Sequence, residues 1–170
     1  MAPLVRRSWA PAGQTPILRQ RTRHHRKLSV IAALVVSPCR RRVRLYFKNY
    51  PDANIDGTAV ANFLCHLHRQ RRSQLFLLWD RLSAHRAAIA SEFLRRHRRI
   101  HPEFLPPYAP ELNPVEGVWG YLKLNPLANF APPDLSALVS RARRCSRSLQ
   151  RKPNLLRSFI RHCPLPLRLR

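Results

Sequence analysis

The chain has 170 residues, 45% of them apolar, and carries 32 Lys and Arg against 8 Asp and Glu, for a formal net charge of +24. That length suits one domain with enough apolar residues for a core, and the charge points to a polyanionic partner, nucleic acid first. The longest apolar run, Val30–Val36, has seven residues where a membrane span needs ~18, so no membrane partner is expected.

Residues 1–27 are basic and broken by Pro3, Pro11, Gly13 and Pro16, which predicts an extended or irregular segment. Leu28–Val36 is continuously apolar with Val and Ile, the pattern of a buried strand. Ser37-Pro38 signals a turn, and the alternation in Val43–Phe47 predicts a second strand in a hairpin with the first. Residues 49–57 read as a loop. Val60, Phe63, Leu64 and Leu67 fall at helical spacing within Thr58–Arg71. Leu75–Trp79 predicts a third buried strand, ending at Asp80. Ser83 is placed to cap a helix running to about Arg98. Ile100–Leu105 predicts a short strand, residues 106–112 a loop, and a helix begins near Asn113. Pro132-Pro133-Asp134 opens a helix over Leu135–Leu149, and the basic, Pro-broken end has room for one short helix. This order predicts an α/β layer. Functional side chains in such sheets gather at the carboxyl ends of strands, which singles out Asp80.

In a chain so poor in acids, Asp80 and Glu116, with 35 residues between them, form the candidate functional pair. Two carboxylates can hold a divalent cation against nucleic-acid phosphate. Each has a structural alternative. Asp80 can bond neighbouring backbone or an arginine such as Arg81. Asn113-Pro114-Val115-Glu116 fits a capping box, and the helix N-terminus also favours an ionised carboxylate there. Asp52 and Asp56 precede a helix, Glu92 and Glu103 flank basic runs, and Asp134 is placed as a cap. Cys39, Cys65, Cys145 and Cys163 lack paired spacing, and Cys65 with His68 fits an ordinary helix face. Reduced thiols and a cytoplasmic, nucleoid-associated location are expected. Basic clusters holding Arg21, Arg23, Arg26 and Lys27, then Arg95, Arg96, Arg98 and Arg99, can neutralise phosphates of double-stranded DNA. No base-reading element is visible, so that binding is expected to be largely non-specific.

Trp79-Asp80-Arg-Leu-Ser-Ala-His85-Arg86 and Tyr108-Ala-Pro110-Glu-Leu112-Asn113-Pro114-Val-Glu116 together resemble the DDE/D transposases of the mariner-like superfamily. The resemblance is to the bacterial insertion-sequence branch, and Arg7–Pro16 and Asn54–Gly57 extend it over most of residues 4–130. It implies a ribonuclease-H-like α/β fold, a mixed sheet flanked by helices, over residues 1–130, with 131–170 a basic C-terminal helical tail. It also implies metal-dependent DNA cleavage and strand transfer at transposon ends, with Mg²⁺ or Mn²⁺ as cofactor and a homodimer on paired DNA ends. Asp80 would be the second catalytic, metal-binding carboxylate and Glu116 the third. His85, Tyr108, Asn113 and Pro114 match near-site positions, His85 with a packing alternative.

One departure stands beside the likeness. The family's first catalytic Asp ends its first, central strand, just upstream of the segment matched by Arg6–Trp9, and here no acid precedes Asp52. The expectation is therefore an N-terminally truncated catalytic domain, lacking that strand and inactive alone. Composition by itself favours the alternative, a non-catalytic basic nucleic-acid-binding protein.

Overall fold

The computed structural model describes residues 6, 7, 9–15, 17 and 26–170. Arg21 and Arg23, expected at phosphate, lie outside the described residues.

Strand β1 (Leu28–Val36) pairs antiparallel with β2 (Val43–Pro51), Val36 facing Val43 and Leu28 facing Pro51. The second strand runs on past the expected Phe47 because the first is long enough to pair with it. Beyond the ladder, the Asp52 amide donates to the Lys27 carbonyl at 2.8 Å, and Ser29 Oγ donates to the Ala53 carbonyl. Helix α1 (Gly57–Gln70) starts on Asp56, whose Oδ1 accepts from the Ala59 amide at 2.7 Å, and it buries Val60, Phe63, Leu64 and Leu67. Strand β3 (Leu75–Trp79) then pairs in parallel with β4 (Ile100–Phe104), Trp79 facing Phe104. Helix α2 (Ala88–Arg96) makes the crossover between them.

The start of that crossover corrects the sequence reading. Ser83 does not cap a helix. Residues Ser83–Arg86 form a 3-10 turn, and α2 begins at Ala88 without a side-chain cap. The chain is bent instead around Asp80, which takes the Leu82 amide, and pressed against Gly57. A Cβ on Gly57 would lie 2.4 Å from Ala87 Cβ and 2.7 Å from Ile89 Cγ2.

Helices α3 (Val115–Leu124), α4 (Leu135–Gln150) and α5 (Pro153–Arg161) complete the chain. Asp134 caps α4, accepting from the Ala137 amide at 2.7 Å. Both late helices are basic outside and apolar inside. Leu149 and Leu156 are completely buried with Val118, against Val43 and Leu45 of β2.

The β1–β2 hairpin is packed on both faces. Ala32, Leu34 and Val36 meet the cluster built with α3, α4 and α5, while Ile31, Ala33 and Val35 meet Val60, Phe63, Leu64 and Trp79. Among the described residues the strands form two two-stranded sheets, β1–β2 and β3–β4, with no backbone ladder between them. The mixed pairing expected from the sequence is present, antiparallel in one sheet and parallel in the other, and side chains alone join the halves. None of the described helices is long and apolar enough to cross a membrane.

Candidate active site

Asp80 follows β3 directly, at the carboxyl end of the parallel pair. Its Oδ1 accepts the Leu82 amide at 3.1 Å and lies 2.8 Å from His85 Nδ1. The same imidazole nitrogen is 3.1 Å from the Asp80 carbonyl. The ring is fixed from its face as well, stacked on Trp79 with 4.7 Å between centroids, and Trp79 stacks in turn on Phe104. Asp80 Oδ1 therefore accepts one backbone donor and lies against the imidazole, whose hydrogen bond goes to the Asp80 carbonyl, while the side chain stays half exposed.

The segment from β4 to α3 carries the other predicted residues. It begins with the Leu105 amide donating to the Trp79 carbonyl at 2.8 Å, which docks it beside Asp80. Tyr108 is fully exposed. Asn113 Oδ1 accepts from the Val115 amide at 3.2 Å, and Pro114 adopts helical angles, φ −64° and ψ −14°, so Asn113 opens α3 as expected. The reciprocal half of the capping box is not made. The Asn113 amide donates to the Pro110 carbonyl at 2.9 Å, which leaves no amide for the Glu116 carboxylate to cap. Glu116 is exposed in the first turn of α3, and no hydrogen bond or ion pair reaches its carboxylate among the described residues.

The structure thus joins Asp80 to His85, and Asn113 and Pro114 to the start of the helix that bears Glu116. No hydrogen bond or ion pair links Asp80 to Glu116. Among the described residues there is no group of three or more His, Cys, Asp or Glu that could hold a metal.

Two supports escaped the sequence reading. Gly117 lets α3 approach α5, since its Cβ would stand 3.0 Å from Phe159 Cδ1. A glycine inside an apolar helix was the available signal. The Cys163 thiol donates to the Glu111 carbonyl at 3.2 Å, a contact no local pattern announces.

The expected phosphate contacts divide into free and engaged groups. Arg26 and Arg98 are exposed and make no hydrogen bond or ion pair among the described residues. Lys27 donates to Asn54 Oδ1. Arg95 and Arg96 both hold Glu92, at 2.7 and 2.6 Å, and these bonds, Arg95 first, bring its carboxyl down to about 2. Arg99 donates to the Arg72 carbonyl and to His68 Nε2, each at 2.7 Å.

An acid at the carboxyl end of a parallel strand stands where α/β sheets place functional side chains. The family of DDE superfamily endonucleases matches residues 2–139, and the chain belongs to it. Its fold is similar to that of the Mos1 transposase in three solved complexes. The Mos1 mariner paired end complex with Mn has a TM-score of 0.63 and 17% identity, over 96% of this chain and 49% of that one. The Mos1 paired-end complex with left transposon end gives 0.61 and 16%, over 95% and 48%. The Mos1 strand transfer complex gives 0.56 and 16%, over 94% and 47%. The chain thus spans about half the length of those transposases. None of the curated proteins matches it in sequence.

Proposed function

We propose that this chain is the catalytic portion of a transposase of the bacterial insertion-sequence kind, acting on double-stranded DNA at transposon ends. One observation carries the reading: two carboxylates that each keep oxygen free of any bond among the described residues. Asp80 ends a strand with one oxygen fixed by His85 and Leu82, and Glu116 sits on the first turn of α3 with nothing to cap. Family membership and the likeness to the Mos1 complexes support it.

Oxygen donors without thiolate suit a hard cation, so Mg²⁺ or Mn²⁺ fits, held by Asp80 and Glu116. When bound, such ions supply Lewis-acid chemistry at the scissile phosphate, easing attack by water or a 3′-hydroxyl and departure of the leaving oxygen. His85 and the Leu82 amide fix the Asp80 rotamer and so aim its second oxygen. Glu116 stands in the first turn of α3, at the positive end of that helix. Arg26 and Arg98 take backbone phosphate, mostly without sequence preference. Residues 1–130 form the catalytic unit and 131–170 a basic helical region, and two copies act on paired DNA ends in the nucleoid.

Two carboxylates neutralise divalent cations poorly, and no residue before Asp52 is acidic. We therefore expect the chain alone to bind metal weakly and to leave DNA uncut. The lack of a three-ligand cluster among the described residues also favours a second reading, a basic nucleic-acid-binding protein without catalysis.

The test is calorimetric titration of Mn²⁺ into the purified chain and its Asp80→Asn and Glu116→Gln variants, alongside duplex DNA binding at about 50 and 200 mM salt. Weak Mn²⁺ binding, lost in either variant, with DNA affinity that falls steeply with salt, is the expected result. Equal Mn²⁺ binding in all three proteins would leave only the second reading. Salt-insensitive DNA affinity would sink both. Metal-dependent cleavage that disappears in Asp80→Ala would keep the catalytic site and overturn the inactivity.

A further inference from the structure

Tyr108 adopts a left-handed backbone conformation, φ 58°, and is 100% exposed. It follows Pro107 as the second central residue of a turn, a position where positive φ is ordinarily met by glycine or asparagine. A bulky side chain there carries a conformational cost. Its ring packs on none of the described residues, so no contact among them offsets that cost.

The turn is nonetheless held firmly on both sides. Before it, the Leu105 amide is bonded to the Trp79 carbonyl, and Arg81 lies over the Phe104 ring at 5.9 Å. After it, the amides of Leu112 and Asn113 donate to the carbonyls of Ala109 and Pro110, and Cys163 donates to the Glu111 carbonyl. Pro106, Pro107 and Pro110 restrict the backbone between these anchors. A flat apolar ring is thus displayed on a stiff mount, in the segment that leads from the strand end beside Asp80 to the helix of Glu116.

We propose that Tyr108 is a stacking platform for an unpaired nucleobase beside the strand that the carboxylates address. This rests on the DNA reading above. A paired base hides its faces within the duplex, whereas an unpaired one at an opened end offers a face to an aromatic ring. Such stacking tolerates any base, in keeping with the absence of a base-reading element. Cations such as Arg26 and Arg98 secure the backbone, while the uncharged ring distinguishes open ends from intact duplex.

The test uses the full chain with two probes, a blunt duplex and the same duplex carrying a short 3′ overhang with 2-aminopurine. Wild type should bind the overhang more tightly and quench the fluorophore. Tyr108→Ala should lose about 5- to 150-fold in affinity for the overhang, with blunt-duplex affinity unchanged, and Tyr108→Phe and Tyr108→Trp should restore both preference and quenching. Tyr108→Gly should lose the preference while melting no lower than wild type, because glycine relieves the positive φ. A clear drop in its melting temperature would assign the tyrosine to folding and overturn the proposal. Equal binding of both probes, unchanged in Tyr108→Ala, overturns stacking while the DNA reading survives. Failure to bind either probe overturns both. Loss of self-association in Tyr108→Ala, with overhang binding intact, would make a second copy the ring's partner instead.

Discussion

His85 Nδ1 stands 2.8 Å from Asp80 Oδ1 while its imidazole lies flat on Trp79, so one histidine ties an acid to the end of the strand that presents it. A carboxylate with one oxygen held is fixed in rotamer and has one oxygen left for a ligand. Supporting contacts of this kind typically contribute 10- to 100-fold in metal affinity. We expect His85→Ala to weaken Mn²⁺ binding by about that factor. His85→Asn, whose amide can replace the Nδ1 donor, should recover part of it. Unchanged affinity in His85→Ala, by calorimetry, would reduce the histidine to packing.

The approach of α1 to the turn after Asp80 depends on a missing side chain. Gly57→Ala would drive a methyl against Ala87 and Ile89, and such overpacking costs about 1–3 kcal/mol. Gly120 is the control, since a Cβ there meets nothing within 4 Å. Gly120→Ala should be neutral or gain up to about 1 kcal/mol from helix propensity. Urea unfolding of the two variants checks the contrast.

The late helices are part of the packing around β2. Leu149 and Leu156 have 1% and 0% exposure. Truncating either to alanine should cost about 2–5 kcal/mol and shift the unfolding of the whole chain in one transition. A change confined to a separate, minor transition would mean that these helices fold apart from the hairpin.

His68 makes stability depend on pH. Its burial, then the guanidinium of Arg99 and the neighbouring His97, push its pKa below the ordinary 6.5. Arg99 donates to Nε2, so that nitrogen must be unprotonated for the bond to exist. A depressed folded pKa gives stability that is complete above 6.5 and declines as pH falls through the lower, folded value. The urea midpoint should therefore drop on acidification below neutrality, and His68→Gln should flatten that dependence. A midpoint indifferent to pH would contradict the arrangement.

Thiol reactivity should rank by environment. All four cysteines are free, and Cys39 is exposed in the hairpin turn with its thiol 3.3 Å from Ser37 Oγ. That bond, then the backbone at Arg41, lowers its pKa, while burial raises that of Cys145. Iodoacetamide near neutral pH should label Cys39 first and Cys145 slowly, and Ser37→Ala should slow Cys39. Labelling in the reverse order, read by peptide mass mapping, would refute the environments.

Where local chemistry dominates, the sequence was sufficient. The strands at Leu28–Val36 and Leu75–Trp79, the cap Asp134 and the opening of α3 at Asn113-Pro114 appear where read, because each is set by residues close in the chain. The expected burial of Leu75–Trp79 is not met, since Phe76 and Leu78 are exposed on the face of β3 that nothing covers among the described residues, and Asp56, read only as preceding a helix, caps it. Ser83 failed as a cap because Asp80, three residues earlier, captures the Leu82 amide and turns the chain before a helix can start. Periodicity carries no record of such a side-chain bond to nearby backbone.

The sequence by itself determined the charge, the order of strands and helices, and the presence of Asp80 and Glu116 at a strand end and a helix start. Only the tertiary structure decided what those acids are free to do. The Asn113 amide is taken by Pro110, which releases Glu116 from capping, and His85 folds back over Trp79 to hold one oxygen of Asp80. It also decided that α5, against Gly117, and Cys163, just past its end, brace the α3 end of the site, across separations in sequence that no local pattern spans. Hydrogen-bond donors and close approaches are allotted by the packed chain as a whole, so their distribution emerges only when distant segments meet.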